Sequence, residues 1–538
     1  MSAVVRLTKL PIIVTLAGAG TLALEMLAPR LLAPAFGTSQ PIWAAVIGMT
    51  LLYLAIGYHI GGRLADGARG TDADMVSRII VWAGVSAALI APVAPPLISG
   101  ARVALQSLAI GSFVGALIIA LVLFATPIIL LAAVSPFVSR LALTVTEPER
   151  VGRVLGRLSM FATVGSLAGT FFTTLWLIPT LGTSLSLLAI AGFLIVLGTW
   201  AGDQPRRGLW LLLVLALVGW RLMNGPAPLA AGCIDCTVQQ TIESANNTIQ
   251  VATRPHPTHG TQTLLLLNEG MAVHSVSNEA GMRSGAAIDM LTDGGPWDYF
   301  AVAPYVLPQQ RVGSIKRMAM IGSAAGTGTA QFLAIHGPDA EVDAIEIDPA
   351  IVAVARQSFG MRDSATAGGN PNYRVHVADG RTWLAAQTGS YDIIGVDAYH
   401  QPYIPFHLTT VEFFEMAKAR LTPNGALVLN AGLGANGDIR LAQALATTMR
   451  QVFTSVFVLE TASYGNWMLI GTIAHIGDGA ANFAANYQIM TDPAIRQVME
   501  KTQGFPFLQS DDGPIVLYDD HAPVEKLVDE MIFGTIAQ

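Results

Sequence analysis

The sequence predicts an α-helical multi-pass membrane domain followed by an α/β, Rossmann-like domain with a small β-sheet at its N-terminal side. Three observations predict this. The 538 residues are 52% hydrophobic and only 12% charged, whereas soluble domains average about 25% charged. The charge deficit lies in the first 223 residues, where apolar runs follow one another at the ~20-residue length that spans a bilayer. Finally, Met318 to Asp348 reads as strand, small-residue turn, helix and a second strand ending at Glu346-Ile347-Asp348, the opening βαβ unit of a doubly wound sheet. The expected domains are 1–223 in the membrane, 224–310 as junction and small antiparallel sheet, and 311–538 as the nucleoside-binding domain.

The expected spans are 10–34, 41–62, 76–98, 103–125, 126–143, 157–178, 181–200 and 208–223, giving seven or eight crossings, or six. Thr126-Pro127 divides or kinks the fourth and fifth, because proline removes a helix hydrogen bond. Arg6, Lys9, Arg63, Arg69, Arg78, Arg140, Arg150, Arg153, Arg157, Arg206 and Arg207 fall on one side if 103–143 crosses once, and the positive-inside rule makes that side cytoplasmic. The protein is then expected in the cell (inner) membrane. The globular half is cytoplasmic if 208–223 lies flat and extracytoplasmic if it crosses, where Cys233 and Cys236 could pair. Glu25 is either a functional intramembrane carboxylate or half of an ion pair that locks helix packing. Gly152/Gly156 and Gly165/Gly169 read as small-xxx-small pairs that let helices approach closely.

The globular half carries the chemistry. Gln250 to Thr253, Thr263 to Leu267 and Ala272 to His274 read as strands of a small sheet. Five more, near 317–322, 341–347, 373–378, 391–397 and 425–430, alternate with helices, and 455–459 with 466–473 closes as a hairpin. Ligands of such sheets bind at the strands' carboxyl ends. There the turn from Gly322 to Gly326 allows close backbone approach, and the helix behind it offers free N–H groups. Glu346, about 20 residues on, suits ribose hydroxyls. Asp379-Gly380 suits an adenine amine or simply caps a helix. Asp397, ending DIIGVD, suits a general base or starts a loop.

Composition excludes other classes. A net charge of −7 without basic clusters argues against nucleic acid. The turn GSAAGT departs from the dinucleotide-binding spacing. His256 and His259 share a Pro-rich turn with no third ligand in view, so no metal is expected.

At these residues the chain resembles the polyamine aminopropyltransferases (the spermidine synthase family), in particular members fused to an N-terminal membrane domain. LEMLAPRLLAPAFGTS, GYHIGGRLAD and the closing LYDDHAPVEKLV resemble the fused members too. The resemblance implies a methyltransferase-type fold and a homodimer. It implies transfer of an aminopropyl group from decarboxylated S-adenosylmethionine to an amine, with release of methylthioadenosine and no prosthetic group. Carried over residue by residue, Glu346 is the ribose-binding acid, Asp379 and Gly380 contact adenine, and Asp397 accepts the proton. Tyr399 and His400 follow as orienting groups, and Asn247 replaces part of the family's Tyr-Gln pair.

Three departures stand beside these matches. Ala325 replaces the aspartate that holds the donor's ammonium, His400 replaces a second aspartate, and Asn278 to Ser284 replaces the family's acidic acceptor segment. Uncharged groups are poor substitutes for buried carboxylates facing a diammonium chain. The acceptor is therefore expected to be another external amine, or the donor's own terminal nitrogen closing a four-membered ring. Two other readings remain: a methyltransferase using S-adenosylmethionine itself, and a membrane transporter or sensor with a nucleoside-binding module.

Overall fold

The computed structural model describes residues 3–36, 40–67, 73–108, 112–144, 146–224, 235–244, 246–268, 272–310, 312–399, 404–434, 437–502, 504 and 515–534. Two compact units emerge, Met1–Ala230 with Thr241–Ala245, and Ala231–Gln240 with Asn246–Gln538.

The first unit is helical: α1 (Ala3–Phe36), α2 (Gln40–Gly67), α3 (Ala73–Leu108), α4 (Ser112–Leu143), α5 (Val151–Phe172), α6 (Ile178–Ala201) and α7 (Leu211–Asn224). Six stretches among the described residues are long and apolar enough to cross a membrane. One of them, Pro148–Ala201, runs to 54 residues and contains a break at Gly182, where φ is 73°. Of the two alternatives at Thr126-Pro127, division and a single helix, the structure has the second, since α4 runs through Pro127 and Pro136. Helices in apolar surroundings tolerate proline where neighbouring groups satisfy the freed carbonyl.

Two local features have clear causes. Gly165 and Gly169 face the backbone of Thr15 and Ala19 so closely that a Cβ would collide with it, so these glycines let α5 lie against α1. The Gly182 break leaves the Thr183 N–H free to donate to the Glu243 carboxylate at 2.9 Å, and Arg221 pairs with the same side chain at 3.2 Å. A Cβ at Gly182 would strike Glu243. Arg30 donates to the Ser244 carbonyl at 2.7 Å.

The second unit holds two sheets. The small one has β1 (Thr237–Glu243), β2 (Thr248–His256), β3 (Gly260–Leu267) and β4 (Val273–Asn278) in sequence order. Its first strand, TVQQTIE, escaped the sequence reading because its polar surface lacks an apolar run. The large sheet comprises β5 (Arg317–Ile321), β6 (Glu341–Glu346), β7 (Tyr373–Val377), β8 (Tyr391–Val396), β9 (Leu421–Gly432), β10 (Ser455–Glu460) and β11 (Asn466–Thr472). Their order is β10-β11-β9-β8-β5-β6-β7. Strands β7, β6, β5, β8 and β9 are parallel, and β10 and β11 add an antiparallel hairpin. This is the expected Rossmann-like fold. Its central strands are nearly continuous buried apolar sequence, as in Met318, Ala319, Met320 and Ile321, because helices cover both faces.

Candidate active site

The strand order reverses between β5 and β8. The crevice at such a switch point is where open α/β sheets bind ligands. Gly322 leaves β5 there with φ 80°. A Cβ on it would lie 2.6 Å from the backbone of Ala398 and Asp397, so only glycine lets the two strand ends pass.

Two cavities open at this point. One, of about 160 Å³, is lined by Asn247, Gly322, Glu346, Asp379, Gly380 and His407, among others. The second, of about 380 Å³, is lined by Trp297, Asn430, Leu433, Tyr464, Val528 and Met531, among others. Both are lined by His274, Ala324, Asp397 and Tyr399. Seven of the nine predicted site residues (Asn247, Gly322, Glu346, Asp379, Gly380, Asp397 and Tyr399) therefore line the first cavity together. Gly326 lies outside both linings. It starts the helix Thr327–His336 at φ 89° and makes room for the Tyr373 hydroxyl and Met361. His400 falls outside the described residues.

Each acid in the first cavity is held in place. Glu346 accepts the N–H groups of Ala324 and Asp348, both at 3.0 Å, yet burial still pushes its carboxyl up to about 7. Asn247, on the cavity wall, braces this corner. Its amide donates to Asp348 at 2.9 Å and accepts from Asn268 at 3.0 Å. Asp379 does cap a helix, accepting from Thr382 N–H at 2.9 Å, while its other oxygen meets His407 at 2.9 Å. Burial raises its carboxyl, but these two partners outweigh burial and hold it below the usual range. His407 is fixed in turn by Arg381, which donates to its carbonyl and grips Asp519 with both arms at 2.6 Å. Asp519 belongs to the LYDD stretch, so the closing segment supports the cavity floor.

Asp397 sits on the wall shared by both cavities. Asn430 donates to it at 2.8 Å, and Asn466 donates to Asn430 at 2.8 Å. Burial pushes its carboxyl up to about 6, and the Asn430 bond limits the rise. Such a carboxylate is ionised at neutral pH yet basic enough to take a proton. The Tyr399 hydroxyl donates to the Asn430 carbonyl at 2.9 Å and accepts the Gly432 N–H at 2.8 Å. It is thus committed to β9 and acts as a wall.

A profile of the spermine/spermidine synthase domain matches residues 309–478. Residues 309–478 are thus similar to the spermine/spermidine synthase domain. The chain is 36% identical over 129 residues to a probable polyamine aminopropyl transferase of Bifidobacterium longum, covering 24% of this chain and 27% of that one. It is 30% identical over 139 residues to the human eEF1A lysine and N-terminal methyltransferase, covering 24% and 19% respectively. The matched stretches thus span well under half of either relative. Among solved structures, a probable spermidine synthase of Corynebacterium glutamicum aligns over 51% of this chain and 99% of that one, at 21% identity and a TM-score of 0.37.

Among the described residues, Asp397 is the single carboxylate lining the second cavity, and the other polar side chains facing it include Asn430, Asn466 and His274. Ala325, at the turn position that resembles the family's missing aspartate, is buried with its N–H donated to Ser275 at 2.9 Å. Its neighbour Ala324 is the turn residue that lines both cavities.

Proposed function

We propose that this chain is a membrane-anchored aminopropyltransferase that works on decarboxylated S-adenosylmethionine and releases methylthioadenosine. The helical half holds it in the cell membrane with the catalytic unit in the cytoplasm, where adenosyl donors are made, and it acts as a homodimer. The observation that carries the reading is the place of Asp397 between two cavities. One presents carboxylates at successive strand ends, and the other sets Trp297, Leu433, Val528 and Met531 beside the amides of Asn430 and Asn466.

The donor occupies the first cavity, its ribose hydroxyls donating to Glu346 and its adenine amine to Asp379. The sulfonium makes the adjacent propyl carbon electrophilic without an acid. The acceptor enters the second cavity. An alkylammonium has a pKa of about 10.4, so it arrives protonated and must lose a proton to attack. The nitrogen lone pair forms the new C–N bond, and the C–S pair returns to sulfur as neutral methylthioadenosine. The displaced proton goes to Asp397. Alignment of nitrogen, carbon and sulfur supplies most of the remaining acceleration.

One carboxylate cannot balance two ammonium groups in a desolvated site. The acceptor is therefore a monoamine with an apolar body, which Trp297, Leu433, Val528 and Met531 suit. The size of the second cavity favours an external acceptor over ring closure on the donor's own nitrogen. The deciding test gives the detergent-purified chain each donor with and without an apolar monoamine. Methylthioadenosine formed only with the amine supports the reading. Methylthioadenosine formed without it means self-cyclisation, and S-adenosylhomocysteine from intact S-adenosylmethionine means methyl transfer.

A further inference from the structure

We propose that His256, His259 and Asp293 form a binding site for one divalent transition-metal ion of the zinc type. The sequence reading found no third ligand for the two histidines, and the fold supplies one. His256 ends β2, His259 lies in the turn before β3, and Asp293 arrives from 34 residues further along. The three ligand atoms lie within 4.8 Å of one another. Both imidazoles aim Nε2 at the same carboxylate oxygen, His259 at 3.1 Å and His256 at 3.4 Å. Metal–ligand bonds of about 2.0–2.2 Å at tetrahedral angles place neighbouring ligand atoms about 3.3 Å apart. Both imidazole–carboxylate distances are therefore already at metal-binding spacing, and three protein ligands leave one tetrahedral position for water.

The surroundings are built for ligation. The His256 and His259 rings stack at 4.7 Å, which fixes their common direction. The Thr258 hydroxyl lies 3.2 Å from His256 Nδ1, the partner that a metal-bound imidazole needs on its far nitrogen. Lys501 holds the other oxygen of Asp293 at 2.9 Å, leaving Oδ2 for one-oxygen binding. Asp293 itself sits at φ 58°, a conformation that costs energy unless the surroundings impose it. They do so here. Asp298 accepts the N–H groups of Thr292 and Gly294 on either side, and Ser463 donates to the Asp293 carbonyl at 2.9 Å. Imidazole and carboxylate together suit zinc, cobalt or nickel better than magnesium or calcium.

The ion would tie the β2–β3 turn to the segment that continues into Pro296 and Trp297, which line the second cavity. Its role is therefore structural.

The test uses the untagged full-length chain in detergent, stripped with chelator and titrated with Zn²⁺ or Co²⁺. The expected result is one equivalent bound, visible absorption of four-coordinate Co²⁺, and a metal-dependent rise in Tm. His256→Gln/His259→Gln and Asp293→Asn should each weaken binding at least tenfold and abolish the Tm rise, while His475→Gln binds as the wild type does. X-ray absorption of the zinc-loaded wild type should show two imidazole nitrogens, which decides the matter even if a variant fails to fold. No stoichiometric binding, a zinc shell without imidazole, or unchanged binding in the double variant would overturn the proposal.

Discussion

The first cavity is lined by Glu346, Asp379 and Asp397, each fixed by at least one hydrogen bond, whereas among the described residues Asp397 is the only carboxylate lining the second. The comparison separates two demands. A nucleoside is recognised by directed hydrogen bonds, so its side of the site is a set of braced acceptors. An apolar amine needs desolvation and one proton acceptor, so its side is a wall of large side chains around a single acid. Variants that act on one cavity and spare the other test whether this division is real.

The largest effect is expected at the shared wall. Asp397→Asn keeps the oxygen that Asn430 donates to and removes the base, so kcat should fall by about 10²–10⁴-fold. Donor affinity, measured by calorimetry, should stay within a fewfold of wild type. A parallel loss of donor binding would mean that Asp397 belongs to the first cavity alone. In the wild type, kcat/KM should rise with pH through about 6. The sign follows from the raised pKa: below it the carboxyl holds its proton and cannot accept another, and above it the base is free.

Glu346→Gln should act on the other side. It exchanges a charged acceptor for a neutral one, and hydrogen bonds to charged groups contribute about 1.5–3 kcal/mol. Donor affinity should fall by roughly ten- to a hundredfold with acceptor KM unchanged. Wild-type donor binding should also tighten as pH rises through about 7, where Glu346 ionises. A flat donor-binding profile across that range would remove Glu346 from the donor contact.

Asn430→Ala probes the link between base and scaffold. The amide bond is the one interaction that lowers the Asp397 pKa, so its loss should move the acidic limb of kcat/KM upward by about one pH unit, equivalent to 1.36 kcal/mol. The plateau rate at high pH should change little. A lower plateau with an unmoved limb would make Asn430 a structural support only.

Local pattern carried much of this. Parallel strands buried on both faces read as apolar runs, so β5, β6 and β8 were legible, and so were the acids that end them, Glu346 and Asp397. The braces were not, because each joins residues far apart in sequence. Asp379 meets His407 across 28 positions, Asn430 reaches Asp397 across 33, and Arg381 reaches Asp519 across 138. A sequence window shows the residue types but not the approach. The third group beside His256 and His259 was hidden for the same reason. In the membrane half, Pro127 suggested a boundary between spans, yet α4 continues through it. The Gly182 break had no warning beyond a glycine, because its cause, Glu243, lies 61 residues away in sequence.

The smallest expected effect tests the apolar side alone. Tyr464 lines the second cavity and is 46% exposed, and its ring meets Trp297 edge-on at 5.5 Å. Its φ of 70° is a conformation that glycine adopts without strain. Tyr464→Gly therefore removes the ring while relieving the backbone, so any loss of function is not a folding defect. Aromatic contacts of this kind contribute about 0.5–1.5 kcal/mol, so acceptor KM should rise by about two- to tenfold, with kcat and donor affinity unchanged. Thermal unfolding of the variant should occur at or near the wild-type temperature. If KM for an apolar amine does not move while donor affinity does, the ring faces the nucleoside, and the assignment of the two cavities must be exchanged.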